Sequence, residues 1–139
     1  MRELILIKNG EIALKGLNRG SFEDILMRNI RWRLKDLGAF QLKKAQSTIY
    51  LEPTDSAQFD FDEALDRLQK VFGIAMLSRA LVVDKDIDII KEAASDYLEP
   101  VLSQVRTFKV ESKRADKRFP LTSPQISAEV GGALLKHFN

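Results

Sequence analysis

The sequence predicts an α+β chain: a ferredoxin-like β-α-β-β-α-β unit over residues 1–83, then a truncated α/β unit over residues 84–139. Three observations carry this. Strand-type apolar runs and helical stripes follow one another in that order through the first 83 residues. An acidic patch, DKDID at 84–88, then opens a fresh helical period. Beyond it there is a single strand-like run between two helical ones, too few for a sheet of its own.

Taking the elements in order, RELILIK (2–8) is a continuous apolar run bounded by charge, as a buried central strand reads. NGEIALKGLNRG (9–20), with three glycines and two asparagines, reads as a connection. From Ser21 to Gly38 a 3.6-residue stripe of Phe22, Ile25, Leu26, Ile30, Leu34 and Leu37 predicts a helix. Ser21 with Asp24 three residues on predicts its N-terminal cap, and Gly38 its stop. Trp32 lies near the edge of the stripe and is expected in core or rim packing, while Arg28, Arg31 and Lys35 share another face. FQLKK (40–44) and STIYLE (47–52) alternate about a tight connection and predict a hairpin that Pro53 ends. Phe61, Ala64, Leu65, Leu68 and Phe72 predict a second helix, capped by Asp60 with Glu63 and closed by Gly73. MLSRALVV (76–83) completes the β-α-β-β-α-β order.

In the second unit Ile87, Ile90, Ala94, Tyr97, Leu98 and Val101 carry helical spacing, with Pro100 kinking or ending the last turn. TFKVESK (107–113) predicts a strand with Phe108 and Val110 on one face and Lys109, Glu111 and Lys113 on the other. A final helix follows, opened either by a Thr122–Gln125 capping box or by Ser123 as cap with Pro124 at the first helical position. One strand needs neighbours, so this unit either joins another sheet or belongs to something longer; the second reading is preferred.

Composition bounds the chemistry. The chain has 139 residues, 45% of them hydrophobic and 30% charged, which suits one domain or two small ones sharing an interface. No run approaches the roughly 18 apolar residues of a membrane span, and no signal peptide opens the chain. A cytoplasmic protein is the expectation. With no cysteine, disulfides, thiolate metal ligands and cysteine nucleophiles are excluded, and no metal site is expected. The single histidine, His137, reads as a surface helix residue. Asp60, Asp62 and Glu63 read as helix N-terminal charges favoured by the macrodipole. There is no Walker loop, no GxGxxG and no Ser-Gly-Gly phosphate cradle, so no catalytic residue is assigned and the chain reads as non-catalytic by itself.

Charge is patterned more strongly than its net value of +2 suggests. Residues 1–51 hold ten basic and five acidic side chains, residues 52–102 five and twelve, and residues 103–139 seven and three. Two basic blocks about an acidic one either make a face for a polyanion or pair with the block between them. The densest cluster is VESKRADKRFPLTSP (110–124), where Lys113, Arg114, Lys117 and Arg118 crowd into six residues offset only by Asp116. A strand-to-helix loop of this kind, ending at backbone N–H groups, is a ready anion site. Lys15 and Arg19, beside Gly16 and Gly20, form a second basic segment. Phe119 either anchors the loop or stacks on a base; the anchor is preferred because a hydrophobe before a helix staples it. Gly131-Gly132 within the last helix implies close approach of a packed strand or a nucleic-acid backbone, tight packing being preferred.

Two segments resemble a known family. KNGEIALKGLNRGSFEDILMRNI (8–30) is similar to the N-terminal signature of the ThiI-type tRNA 4-thiouridine synthetases (tRNA uracil 4-sulfurtransferases), and FKVESKRADKRFPLTSPQISAEVGGALL (108–135) to the core of their THUMP domain. Lys8-Asn9 stands where that family commonly has Arg-Tyr, so a role of that aromatic is not carried over.

The resemblance implies an N-terminal ferredoxin-like domain (1–83) and the N-terminal part of a THUMP domain (84–139). In the family an ATP-pyrophosphatase domain follows, sometimes with a rhodanese domain. The family adenylates the uridine at position 8 of tRNA and exchanges its oxygen for sulfur; it also serves thiamine thiazole synthesis. The implied role of these residues is tRNA docking. Lys113, Arg114, Lys117, Arg118 and Ser123 would hold phosphates near the acceptor end, with Lys15, Arg19, Arg28 and Arg31 extending the track along the acceptor stem. No cofactor is expected in this chain. ATP and magnesium, and a cysteine desulfurase or other sulfur donor, would engage domains it lacks. The alternative is a protein-interaction module forming a homodimer through complementary basic and acidic faces.

Overall fold

A continuous apolar run suits a strand at the centre of a sheet, and Arg2–Asn9 (β1) is paired on both edges. In the computed structural model, which describes residues 2–10 and 19–138, β1 lies between β3 (Thr48–Pro53) and β4 (Ile74–Val82), and β2 (Phe40–Ala45) extends the sheet beyond β3. The order β2-β3-β1-β4 is antiparallel throughout. Ile5 opposes Leu51 and Ile7 opposes Ile49 on β3, while Ile7 opposes Leu77 on β4. The β2–β3 hairpin turns through Gln46-Ser47, with Ala45 opposite Thr48 and Gln46 in the left-handed region at φ 57°.

Two helices supply the other half of this core. Phe22, Leu26, Ile30 and Leu34 of α1 (Arg19–Leu34) and Phe61, Ala64 and Leu68 of α2 (Phe61–Leu68) are buried with Ile5, Ile7, Ile49 and Leu51. Asp60 caps α2 as its sequence predicts, accepting from the Glu63 amide at 3.0 Å. Helix α1 differs at its start: it is already helical at Arg19, so Ser21 sits inside the first turn rather than at the cap position. Three apolar expectations also fail. Ile25 is 40% exposed, Trp32 67% and Phe72 83%; beyond α2 it is Val71, not Phe72, that turns into the core. Trp32 falls two positions from Ile30, which places it on the opposite side of the helix.

The chain divides into two compact units, Met1–Val82 and Val83–Asn139. In the second, α3 (Ile87–Tyr97) is capped by Asp86, whose carboxylate accepts from the Asp88 and Ile89 amides at 2.9 and 3.2 Å. Pro100 ends it as expected, standing in the first turn of a short α4 (Glu99–Leu102) where Val101 is exposed. Helix α5 (Ser123–Phe138) packs on α3, burying Val130 and Leu134. The strand expected at 107–113 does not form, because no described segment offers it a ladder. Its alternation survives nonetheless: Phe108, Val110 and Ser112 are half-buried, and Lys109, Glu111 and Lys113 are exposed. Val110 lies toward Gly131, where an added Cβ would meet it at an ordinary 3.7 Å, and Gly132 has open space, so neither glycine marks tight packing. Among the described residues no helix is long and apolar enough to cross a membrane.

Candidate nucleic-acid interface

The basic loop between Val110 and α5 is built from the inside. The Arg114 amide donates to Ser123 Oγ at 2.8 Å, and its guanidinium Nη1 reaches the carbonyls of Phe119 and Leu121 at 3.2 and 3.4 Å. Ser112 and Ser127 hydroxyls join the segment to α5 at 2.8 Å. Asp116 forms the second brace. Its carboxylate accepts from the Arg118 amide at 3.0 Å, from Arg118 Nε and Nη2 at 3.1 and 3.2 Å, and from Lys85 Nζ at 3.0 Å. Hydrogen bonds from the Arg118 side chain and amide, and then from Lys85, hold the Asp116 carboxyl well below the usual carboxylate range. The Phe119 amide closes the turn on the Asp116 carbonyl at 3.1 Å.

Four like charges in six residues are therefore not four equivalent ligands. Arg114 is half-buried and satisfies loop carbonyls, so it acts first as a brace. Arg118 is tied to Asp116 while its side chain stays 90% exposed. Lys113 and Lys117 are exposed, with no ion-pair partner among the described residues. Phe119 is half-buried and lines a cleft of about 350 Å³ with Lys85, Ile90, Ala115 and Ile126, the anchor arrangement.

The start of α5 is less open to anions than its sequence suggests. The capping box is formed reciprocally: the Thr122 amide donates to Gln125 Oε1 at 2.8 Å and the Gln125 amide to Thr122 Oγ1 at 3.4 Å. Pro124 carries no N–H, and the Ser123 hydroxyl already serves Arg114. Of the two alternatives Thr122 is the cap, and Ser123 is a strut. The groups left available at this end of the loop are therefore side chains more than helix amides.

The other expected residues lie in the first unit. Arg28 and Arg31 are exposed on α1. Lys15 and the Arg19 side chain lie outside the described residues. Sequence reasoning misses Lys85, which meets Asp116 from 31 positions away, a pairing without local signal. Among the described residues no cluster of three or more metal-ligating side chains occurs.

Residues 4–78 match the ThiI ferredoxin-like domain family, and residues 84–139 the THUMP domain family. A probable tRNA sulfurtransferase of Acetivibrio thermocellus is 45% identical over 139 residues, and that of Alkaliphilus metalliredigens 43%. Each alignment covers 99% of this chain and 35% of the relative, so the chain spans about a third of the length of the curated relatives it matches. Among solved structures, a 4-thiouridine synthetase in complex with RNA and with ATP bound superposes with a TM-score of 0.78 at 31% identity, covering 99% of this chain and 34% of that one. A protein from Pyrococcus horikoshii follows with a TM-score of 0.75 at 26% identity, covering 98% and 45%.

Proposed function

The chain belongs to the ThiI family of tRNA sulfurtransferases, and from that membership we propose that it is the tRNA-docking portion of an enzyme that makes 4-thiouridine at position 8 of tRNA. In this reading the ferredoxin-like domain ends at Val83 and the THUMP part begins at Asp84. The two dock the acceptor stem and 3′ end, while adenylation, sulfur transfer and the supply of sulfur to thiamine synthesis belong to domains that bind ATP, magnesium and a sulfur donor. No phosphate-cradling loop is present in these residues, so no step through ATP is assigned to them.

One observation carries the proposal: a loop braced at both ends by Arg114 and Asp116 that leaves Lys113 and Lys117 exposed and uncompensated. A polyanion gains from cations whose positions are already fixed, because less side-chain and loop entropy is lost on binding. Arg118 adds a third charge at the rim, and in the first unit Lys15, Arg19, Arg28 and Arg31 are the proposed contacts to the acceptor stem.

Binding of tRNA should therefore weaken with salt. Replacing both Lys113 and Lys117 by alanine should flatten the log–log salt slope by about 1.5, at roughly 0.7 to 0.9 for each phosphate no longer neutralised. Arg114→Ala should weaken binding and also disorder the loop, whereas the lysine pair should leave the fold unchanged. A salt-independent affinity, or a slope indifferent to the lysines, would sink the loop assignment. A tight dimer by gel filtration with no tRNA complex would favour the interaction-module reading.

A further inference from the structure

Helix α1 carries Arg28 and Arg31 of the docking reading on a face that also bears an exposed tryptophan, which that reading leaves without a role. Ile25, Arg28 and Trp32 recur at i, i+3 and i+7, a line of about 10 Å along the helix crest, and Lys35, the first residue past its end, continues it; all four are exposed. Trp32 is the only tryptophan in the chain and is 67% exposed. Lys35 Nζ lies 3.5 Å from its ring centroid, covering one face of the indole and leaving the rest of the ring to solvent. Arg31 flanks the line and is also exposed.

The cations on this crest form no ion pair for a structural reason. The two exposed acids of the segment are drawn aside: Asp24 accepts from Lys44 of β2 at 3.4 Å, and Asp36 accepts from Arg67 of α2 at 2.6 Å. Arg28, Arg31 and Lys35 are left without an ion-pair partner among the described residues. A three-cation face built round an exposed indole is complementary to a ligand that is anionic and flat at once. A membrane surface fits poorly, because the broad apolar side of α1 is already buried in the core and the crest offers only two apolar residues between cations. A polynucleotide supplies phosphates for the cations and a base for the ring, which stacking surfaces accept without sequence preference.

We infer that Trp32, with Arg28 and Lys35, forms a stacking site for an unpaired nucleotide of the RNA that the chain docks. The inference rests on the tRNA reading above and shares Arg28 with it, but the stacking platform, Trp32 under Lys35, is new to it. Trp32 reports on itself. Titration of the chain with an unmodified tRNA transcript should quench the indole emission, with the quenching reversed by salt. Trp32→Ala should weaken tRNA binding about tenfold, within the range for loss of one stacked base. Trp32→Phe should recover part of it, and both variants should keep the wild-type melting temperature because the side chain is outside the core. Binding of fluorescently end-labelled tRNA with unmoved indole emission would overturn the stacking site and leave the docking loop standing. No binding of labelled tRNA would overturn both. Equal quenching by a blunt RNA duplex, by phosphatidylglycerol vesicles, or by raised protein concentration without RNA would overturn the unpaired nucleotide in favour of a duplex, a lipid surface or a second copy respectively.

Discussion

At Gly73 backbone conformation and packing act together. Its φ is +100°, in the region that side chains rarely adopt, and a Cβ there would lie 2.6 Å from Phe22 Cζ. Phe22 is buried in the core, so moving its ring disturbs the packing around it. The Gly73 carbonyl also accepts from the Gly10 amide at 3.0 Å, tying the end of β1 to the start of β4. Gly38 has a similar φ of +121° but nothing within 4 Å of an added Cβ. The pair separates strain from overlap. Gly38→Ala should cost about 1–2 kcal/mol, the backbone term alone, and Gly73→Ala about 3–5 kcal/mol, with overpacking added. Chemical denaturation of the two variants checks it, and equal losses would show that Phe22 yields. Both glycines are legible as helix stops; that only Gly73 abuts a ring is not, because Phe22 stands far away in the sequence.

Among the elements, those made by local rules are the readable ones. The Asp60 cap, the Thr122–Gln125 box and the β2–β3 hairpin each depend on residues close in sequence, and each forms as its sequence implies. The cap expected at Ser21 fails because helical structure begins before it. The basic loop is visible as charge but not as architecture, since its key partners are Lys85 for Asp116 and backbone carbonyls for Arg114. Its pH response follows from Asp116. The folded carboxyl is held below its ordinary value, so its contribution is complete above the unfolded carboxylate range and is lost as pH falls through the lower folded value. The loop should thus keep its order from neutral pH to about pH 5 and loosen well below the ordinary carboxylate value near 4. Asp116→Asn should loosen it at neutral pH. Amide exchange at Arg118 and Phe119, whose N–H groups both bond to Asp116, reads either change; unchanged exchange in the variant would mean that Arg114 alone holds the turn.

Across the whole molecule, the two units answer the same sequence rules with different success. In the first, four strands meet, every period-2 run has a neighbour, and the predicted β-α-β-β-α-β order is realised. In the second, TFKVESK keeps the side-chain alternation of a strand, with Val110 toward α5 and Lys109 and Glu111 outward, yet makes no ladder among the described residues. Periodicity reports which face is buried, whereas strand formation also needs an adjacent backbone, which lies outside what a local pattern encodes. Residues 107–113 therefore present open N–H and C=O groups on a segment already shaped to pair. Their amides should exchange orders of magnitude faster than those of Ile5 and Ile7 in β1, which is paired on both sides. In a chain extended to the length of its relatives, slow exchange should appear across 107–113 if the added residues bring a neighbouring strand. Protection already present in the 139-residue chain, and rising with its concentration, would instead mean that two copies pair through this edge and would revive the dimer reading.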